Sequence, residues 1–239
     1  MKKKKLLKIL LLCLYIISCK KNEGGQPNMP LRVKAETDAG GSMLYTYNAA
    51  HNIVKAEFDN GFKKLEYLYE PGKIMHTIVE ADHTYIIHYS LNEKGYVSNQ
   101  QFEGETEKRF YEYNGNDFLI RTFNDQTPRW ESNYHYNAST GLLDSIRSTV
   151  GDTWSGTSVF LYYTDKANSL GDENFGRYFF GKSSQHPVKS VASRRPEGNL
   201  VKVSVTNFTY TYDSRGRISS RGFTTSGGQS GNTTYTYYE

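Results

Sequence analysis

The sequence predicts an all-β protein: an antiparallel up-and-down β-meander that closes into a barrel with a tyrosine-rich interior. Three observations carry this. A Tyr-x-Tyr-Asx phrase, followed a few residues later by Gly, Asn or Asp and an aliphatic residue, recurs along the chain. Turn-forming residues punctuate it at regular intervals, and the segments between alternate apolar and polar residues with period two. Self-similarity of this kind marks a repeat architecture.

The phrases read LYTYNAAHNIV, LEYLYEPGKIM, IIHYSLNEKGYV, FYEYNGNDFLI, YHYNASTGLLD and FTYTYDSRGRI. Measured on the second tyrosine, Tyr47 to Tyr69 is 22 residues, Tyr69 to Tyr89 is 20, Tyr89 to Tyr113 is 24 and Tyr113 to Tyr136 is 23. A unit of that length holds two strands of roughly 7 residues and two turns. The Asx residue after the second tyrosine (Asn48, Asn114, Asn137, Asp213) suits the first position of a turn, because its side chain bonds the backbone two residues on. Gly95, Gly141 and Gly216, with Asn52 and Asp117 in the looser copies, are placed where a positive φ is needed. The other turn of each unit falls at Ala39-Gly40-Gly41, Asp59-Asn60-Gly61, Ala81-Asp82-His83, Glu103-Gly104-Glu105 and Gly227-Gly228. Asp59-Asn60-Gly61 is the strongest hairpin signal of the set. At Tyr69-Glu70-Pro71 the turn is shorter than in the other copies.

Within the strands, Leu65, Tyr67 and Tyr69 share a face opposite Lys64 and Glu66; Tyr85, Ile87 and Tyr89 share one opposite Thr84 and His88. Phe208, Tyr210 and Tyr212 repeat the pattern against Thr209 and Thr211. An aromatic sheet face must be covered, and no segment after the first 30 residues has a helical stripe to cover it. The sheet therefore curls on itself with the tyrosines inward, where each ring buries a large area while its hydroxyl finds a partner.

The front end gives an address. Lys2 to Lys5 form a positive n-region and Leu6 to Ile17 an apolar run too short to span a bilayer, which reads as a cleaved export signal over residues 1–18. Ile16-Ile17-Ser18-Cys19 resembles a bacterial lipoprotein box, whose cysteine becomes the lipidated first residue; Cys19 is thus the expected lipidation site and membrane anchor. Cys13 lies in the discarded part, so no disulfide is expected. Residues 19–30, ending KKNEGGQPNMP, read as a flexible tether, and 31–239 as one domain. Removing Lys2 to Lys5 and Lys8 takes the formal charge from +4 to −1, which leaves no basic stripe for nucleic acid. The expected location is the outer membrane or cell envelope.

One segment breaks the rhythm. Between Tyr163 and Asn199 the chain runs TDKANSLGDENFGRYFFGKSSQHPVKSVASRRPEGN, with no clean tyrosine phrase. Phe179-Phe180-Gly181-Lys182 through His186-Pro187-Val188 reads as a short helix or turn followed by an edge strand. Long irregular insertions in compact domains are caps, plugs or functional sites.

The lipobox, the tyrosine repeats, the FFGKSSQHPVKS stretch and the closing FTYTYDSRGRI together resemble an uncharacterised lipoprotein family of Bacteroidetes, its phrases related to the YD repeats of RHS-type proteins. The resemblance covers about residues 30 to 239. It implies a porin-like antiparallel barrel and carries over no catalytic residue. Strands of about 7 residues at roughly 3.3 Å each reach about 23 Å, whereas a membrane strand needs about 9–11 residues. The expectation is accordingly a water-soluble barrel on a lipid tether.

No catalytic constellation, metal set or cofactor motif stands out. His88 and His135 share a column of the repeat with Glu112 between them, but such positions lie two strands apart, about 9.5 Å, too far to share an ion bound at about 2 Å. They read as a solvated face. Trp154, on an expected hairpin tip, Trp130, and in the insertion Tyr178, Phe180, Lys182 and His186 are the candidate ligand-binding residues. The function most in keeping with this inventory is a lipid-anchored binding or interaction module for a glycan, peptide or protein partner. The alternatives are an envelope hydrolase using Asp165, Asp172, Glu173 and Asn174, which needs two carboxyls about 5–10 Å apart, or a purely structural shell protein.

Overall fold

The computed structural model describes residues 31–239; the expected signal segment 1–18 and the expected tether 19–30 with Cys19 lie outside the described residues. Sixteen strands follow one another in the described chain. They are β1 (Val33–Asp38), β2 (Gly41–Tyr47), β3 (Ile53–Phe58), β4 (Lys63–Glu70), β5 (Lys73–Glu80) and β6 (His83–Leu91). Next come β7 (Val97–Phe102), β8 (Lys108–Tyr113), β9 (Leu119–Asn124), β10 (Trp130–Tyr136), β11 (Leu143–Val150) and β12 (Thr153–Tyr162). After two 3₁₀ turns, Asp172–Phe175 and Tyr178–Phe180, the chain finishes with β13 (Val188–Glu197), β14 (Leu200–Tyr212), β15 (Ile218–Thr225) and β16 (Ser230–Tyr237). Each strand pairs antiparallel with its sequence neighbours, and β1 pairs with β16 to close the barrel. Up-and-down order puts the turns after even-numbered strands at one end and those after odd-numbered strands at the other.

At the first end, the Asx chemistry is repeated almost residue for residue. Asn48, Asn92, Asn114 and Asp213 each accept, on one side-chain oxygen, the amides two and four residues on. Asn137 accepts from Ser139 and Thr140. The left-handed residue is four positions past Asn137, at Gly141 (φ 67), and three past the Asx in the other turns, where Gly95 (φ 81), Asp117 (φ 70) and Gly216 (φ 75) take it as expected. In the first turn it is His51 (φ 63) and not Asn52, because Asn52 donates its amide to Asn48 and starts the return. A β-bulge follows as each such turn hands over to the next strand, opposite Tyr47, Leu91, Tyr113, Tyr136 and Tyr212. The β4–β5 hairpin lacks it: Glu70 pairs Lys73 directly across Pro71-Gly72.

The tyrosine face is inward. Tyr45, Tyr67, Tyr89, Tyr235 and Tyr237 are all 9% exposed or less, while their strand neighbours Leu44 and Leu68 are 48% and 51% exposed. Burial raises the phenol pKa along this face, to about 12 for Tyr67 and Tyr235. The hydroxyls are satisfied by a recurring device. In six hairpins a tyrosine of the even strand donates to the carbonyl of the first residue of the preceding odd strand: Tyr47 to Val33 (2.6 Å), Tyr69 to Ile53 (2.8 Å), Tyr136 to Leu119 (3.0 Å), Tyr162 to Leu143 (3.0 Å), Tyr210 to Val188 (2.8 Å) and Tyr237 to Ile218 (2.7 Å). Each bond ties the open end of an odd–even strand pair, beyond its last ladder partners.

The outer wall is mixed. Lys55 pairs with Glu57, Lys64 with Glu66 at 2.7 Å, and Arg121 bridges Glu112 at 3.5 Å and Glu131 at 2.6 Å. His88 and His135 are exposed on it, as a solvated face requires. Val159, Leu161, Val201 and Val203 give the wall a more apolar sector on β12 and β14. The expected edge strand after Pro187 is instead β13, paired on both sides; closure leaves no edge, and Pro187 precedes the strand and so takes no ladder bond from it.

Candidate functional site

The insertion between β12 and β13 folds into the barrel as a plug at the Asx-turn end. Its descent is anchored by Ser169, whose hydroxyl lies 3.0 Å from the Tyr237 hydroxyl and accepts the Ile218 amide at 2.7 Å. Phe175 then meets Tyr45 edge-on at 5.2 Å. Phe179 packs among Tyr67, Tyr69 and Tyr89, with ring centroids 5.9–6.4 Å away. Phe180 stands against Tyr89 and Tyr111. This apolar pair makes the plug part of the core.

Polar stitches fix it in register. Gly176 accepts the Ile53 amide at 3.2 Å and Lys182 donates to the Asp117 carbonyl at 3.0 Å. Arg32, only 5% exposed, holds the plug to the start of β1. Its guanidinium donates to the carbonyls of Leu31 (2.8 Å), His51 (3.0 Å) and Glu173 (3.2 Å) and to the Tyr178 hydroxyl. It also lies over the rings of Tyr47 and Tyr178 at 5.6 and 5.2 Å. Carbonyls and ring faces thus stand in for water around a buried cation.

Between plug and hairpin tips the barrel mouth opens into two clefts that share Tyr96. The first, about 400 Å³, is lined by Tyr96, Phe118 and Tyr178 with Glu173, Gly181, Lys182, Ser183 and Gln185. The second, about 390 Å³, runs along Asn92, Glu93, Lys94, Ser98, Tyr111, Tyr113 and Asn114. Tyr96 packs tilted against Tyr113 at 5.2 Å and Phe118 against Tyr136 at 4.8 Å, so the aromatic walls are backed by further rings. Asp117 receives Lys94 at 2.8 Å and Lys182 at 3.8 Å; the Lys94 hydrogen bond holds its carboxyl below the usual carboxylate range. Two buried oxygens at this end have no protein partner, Glu173 Oε2 and the Tyr113 hydroxyl. Tyr113 is an exception to the carbonyl device because Gly181 presses on its ring: a Cβ there would stand 2.8 Å from a ring carbon.

The candidate ligand residues separate on the structure. Tyr178 and Lys182 line the first cleft. Phe180 is a packing residue, and the His186 ring nitrogen lies 2.8 Å from the Lys166 carbonyl, closing the plug's exit loop. Trp130 and Trp154 stand towards the opposite end. Trp130 packs under the Arg109 guanidinium at 4.9 Å. Trp154 is the second residue of β12 and not a hairpin tip; its indole donates to Thr157 at 2.9 Å, which lays the ring along its own strand. Of the hydrolase candidates, Glu173 lines the cleft, Asp172 is paired with Arg177 at 2.8 Å and Asp165 stands exposed beside Lys166. Among the described residues no group of three His, Cys, Asp or Glu side chains is gathered closely enough to hold a metal ion. Sequence reasoning passed over Tyr96, Phe118, Ser183 and Gln185. The first two carried a signal, since each is an aromatic residue four positions after the Asx of its turn.

No family model and no curated protein matches the sequence. Solved structures do. A porin-like protein from Bacteroides uniformis aligns with a TM-score of 0.62 at 17% identity, over 89% of this chain and 99% of its own. A porin-like protein from Bacteroides vulgatus aligns with a TM-score of 0.58 at 14% identity, over 87% of this chain and 99% of its own. At these identities the likeness is one of fold: the chain has the closed antiparallel barrel of these porin-like proteins.

Proposed function

We propose that this protein is a binding module of the cell envelope, tethered through lipid on Cys19, that holds a saccharide in the mouth cleft between Tyr96, Phe118 and Tyr178. The single observation that carries the reading is this cleft of about 400 Å³, which joins three aromatic side chains to the polar side chains of Glu173, Lys182, Ser183 and Gln185. Aromatic faces suit the C–H faces of a pyranose, and the side chains of Glu173, Lys182, Ser183 and Gln185 suit its hydroxyls. A plug packed into an aromatic lumen favours a closed scaffold over a water-filled pore, whose interior is polar. Ion pairs such as Lys64–Glu66 on the outer wall favour an aqueous surround and a separate anchor. The test is a glycan array followed by calorimetry on the purified protein and on Tyr96→Ala. Saturable binding that weakens at least tenfold in Tyr96→Ala, and is kept in Trp154→Ala, supports it. An array without a hit, or binding indifferent to Tyr96, removes it.

A further inference from the structure

We infer a second binding site inside the lumen, on the flank of the plug against β13–β15, which takes a small carboxylate with a short apolar tail. A cavity of about 210 Å³ opens there. Leu170 and Pro187 of the insertion, Val188 and Val191 of β13 and Phe208 of β14 give it an apolar side, opposite a polar part made by Asn168, Tyr210 and Arg221. Such a side rewards a hydrocarbon tail. An apolar cavity of about 150 Å³ is enough for a benzene-sized guest, so a six-carbon chain is a reasonable measure of the space.

Arg221 supplies the charge. It is the one ionised group among the residues lining the cavity. It sits opposite Tyr210 in the β14–β15 pairing, and its guanidinium stands 6.0 Å from the ring centre of Tyr235, itself 6% exposed, so it faces inward. Every other arginine at the plug has a defined polar partner: Arg32 has carbonyls, Arg177 has Asp172 and Arg217 has Asp213. Arg221 has neither a carboxylate within ion-pair distance nor a side-chain hydrogen bond among the described residues. The neighbouring polar side chains are already used. Tyr210 donates to the Val188 carbonyl at 2.8 Å, while Asn168 donates to the Ser184 carbonyl and accepts the Leu170 amide. A guanidinium fork beside an apolar recess matches a carboxylate bidentately with its tail against Leu170 and Phe208. No lining residue is shared with the mouth cleft, so this inference stands apart from the saccharide reading.

The experiment is calorimetry on the whole purified protein with hexanoate and with the neutral isostere hexanamide. Hexanoate should bind saturably and hexanamide at least tenfold more weakly. Arg221→Gln should lose hexanoate binding at least tenfold, and Tyr96→Ala at the mouth should keep it. Val191→Phe, which fills the recess and leaves the charge, should abolish binding too, and decides the matter if Arg221→Gln does not fold. Equal binding of the two probes, absence of saturable hexanoate binding, or binding that survives Val191→Phe would overturn the inference.

Discussion

Gly176 of the plug accepts the amide of Ile53, the first residue of β3, and approaches so closely that a Cβ on Gly176 would stand 2.6 Å from that nitrogen and 2.9 Å from the His51 carbonyl. The position is left-handed as well, at φ 69. Gly181 repeats the arrangement on the other side of the plug, at φ 83, where a Cβ would stand 2.7 Å from the Asp117 carbonyl oxygen. Backbone meets backbone at both points, so neither can relax by turning a side chain.

Substitution at these two glycines should therefore be far worse than at a left-handed glycine in open space. Gly228 provides the comparison, with φ 82 and nothing within 4 Å of a built Cβ. Gly228→Ala should lose about 1 kcal/mol from strain alone. Gly176→Ala and Gly181→Ala should each lose about 3 kcal/mol or more, strain and clash together. Urea denaturation of the three variants measures the difference, and three equal losses would mean that the plug is not pressed against the wall.

Arg32 is expected to be irreplaceable by lysine. Its fork reaches three carbonyls and the Tyr178 hydroxyl, and a lysine ammonium has neither the donors nor the planar geometry to reproduce them. Arg32→Lys should destabilise by about 2–3 kcal/mol. Hydrogen exchange should quicken selectively at the amides of 172–181 while the far-end turns stay unchanged.

His76 gives the barrel an acid-sensitive point. It is buried against Tyr67, ring centroids 4.2 Å apart, and its Nε2 has no partner. Burial, aided by the Arg177 and Lys63 charges, lowers its pKa to about 4. The unfolded chain takes up the proton first, near pH 6.5, while the folded one resists it until about pH 4. Stability tied to this group is thus complete above pH 6.5 and is lost as pH falls towards 4, by about 3 kcal/mol in all. His76→Phe keeps the stack and removes the titration, so the gap in stability between wild type and variant should narrow or invert across that window. A gap independent of pH would contradict the burial.

The repeat, the inward tyrosines, the Asx turns and the barrel were all legible, because hairpin chemistry is local and period two says which face is buried. Tyr69-Glu70-Pro71 was legible as the odd turn for the same reason. The true spacing was obscured at the third copy, where Leu91, two residues past Tyr89, precedes the turn-forming Asn92. Steps from Tyr47 to Tyr69, Leu91 and Tyr113 are then 22 residues each. Leu91 has no hydroxyl, which is why that hairpin lacks the carbonyl bond made in six others. The path of the insertion was not legible. It depends on where Phe175 and Phe179 find rings supplied by β2, β4 and β6, contacts of long sequence separation that no local pattern encodes. For the same reason no local pattern showed that Tyr178 and Lys182 meet Tyr96 and Phe118 in one cleft.

The most direct test of the enclosed tyrosine interior is a spectrophotometric alkaline titration followed together with far-ultraviolet circular dichroism. Burial raises the phenols of Tyr45, Tyr47, Tyr69, Tyr89, Tyr113 and Tyr136 well above their ordinary range, and those of Tyr162 and Tyr210 to about 12. A raised phenol pKa stabilises the fold below pH 10, and that stability drains away as pH climbs towards the folded values. The expected result is that most tyrosines stay protonated past pH 10 and then ionise in one steep step as the β signal collapses. A smooth titration centred near pH 10 with the β signal intact would contradict it.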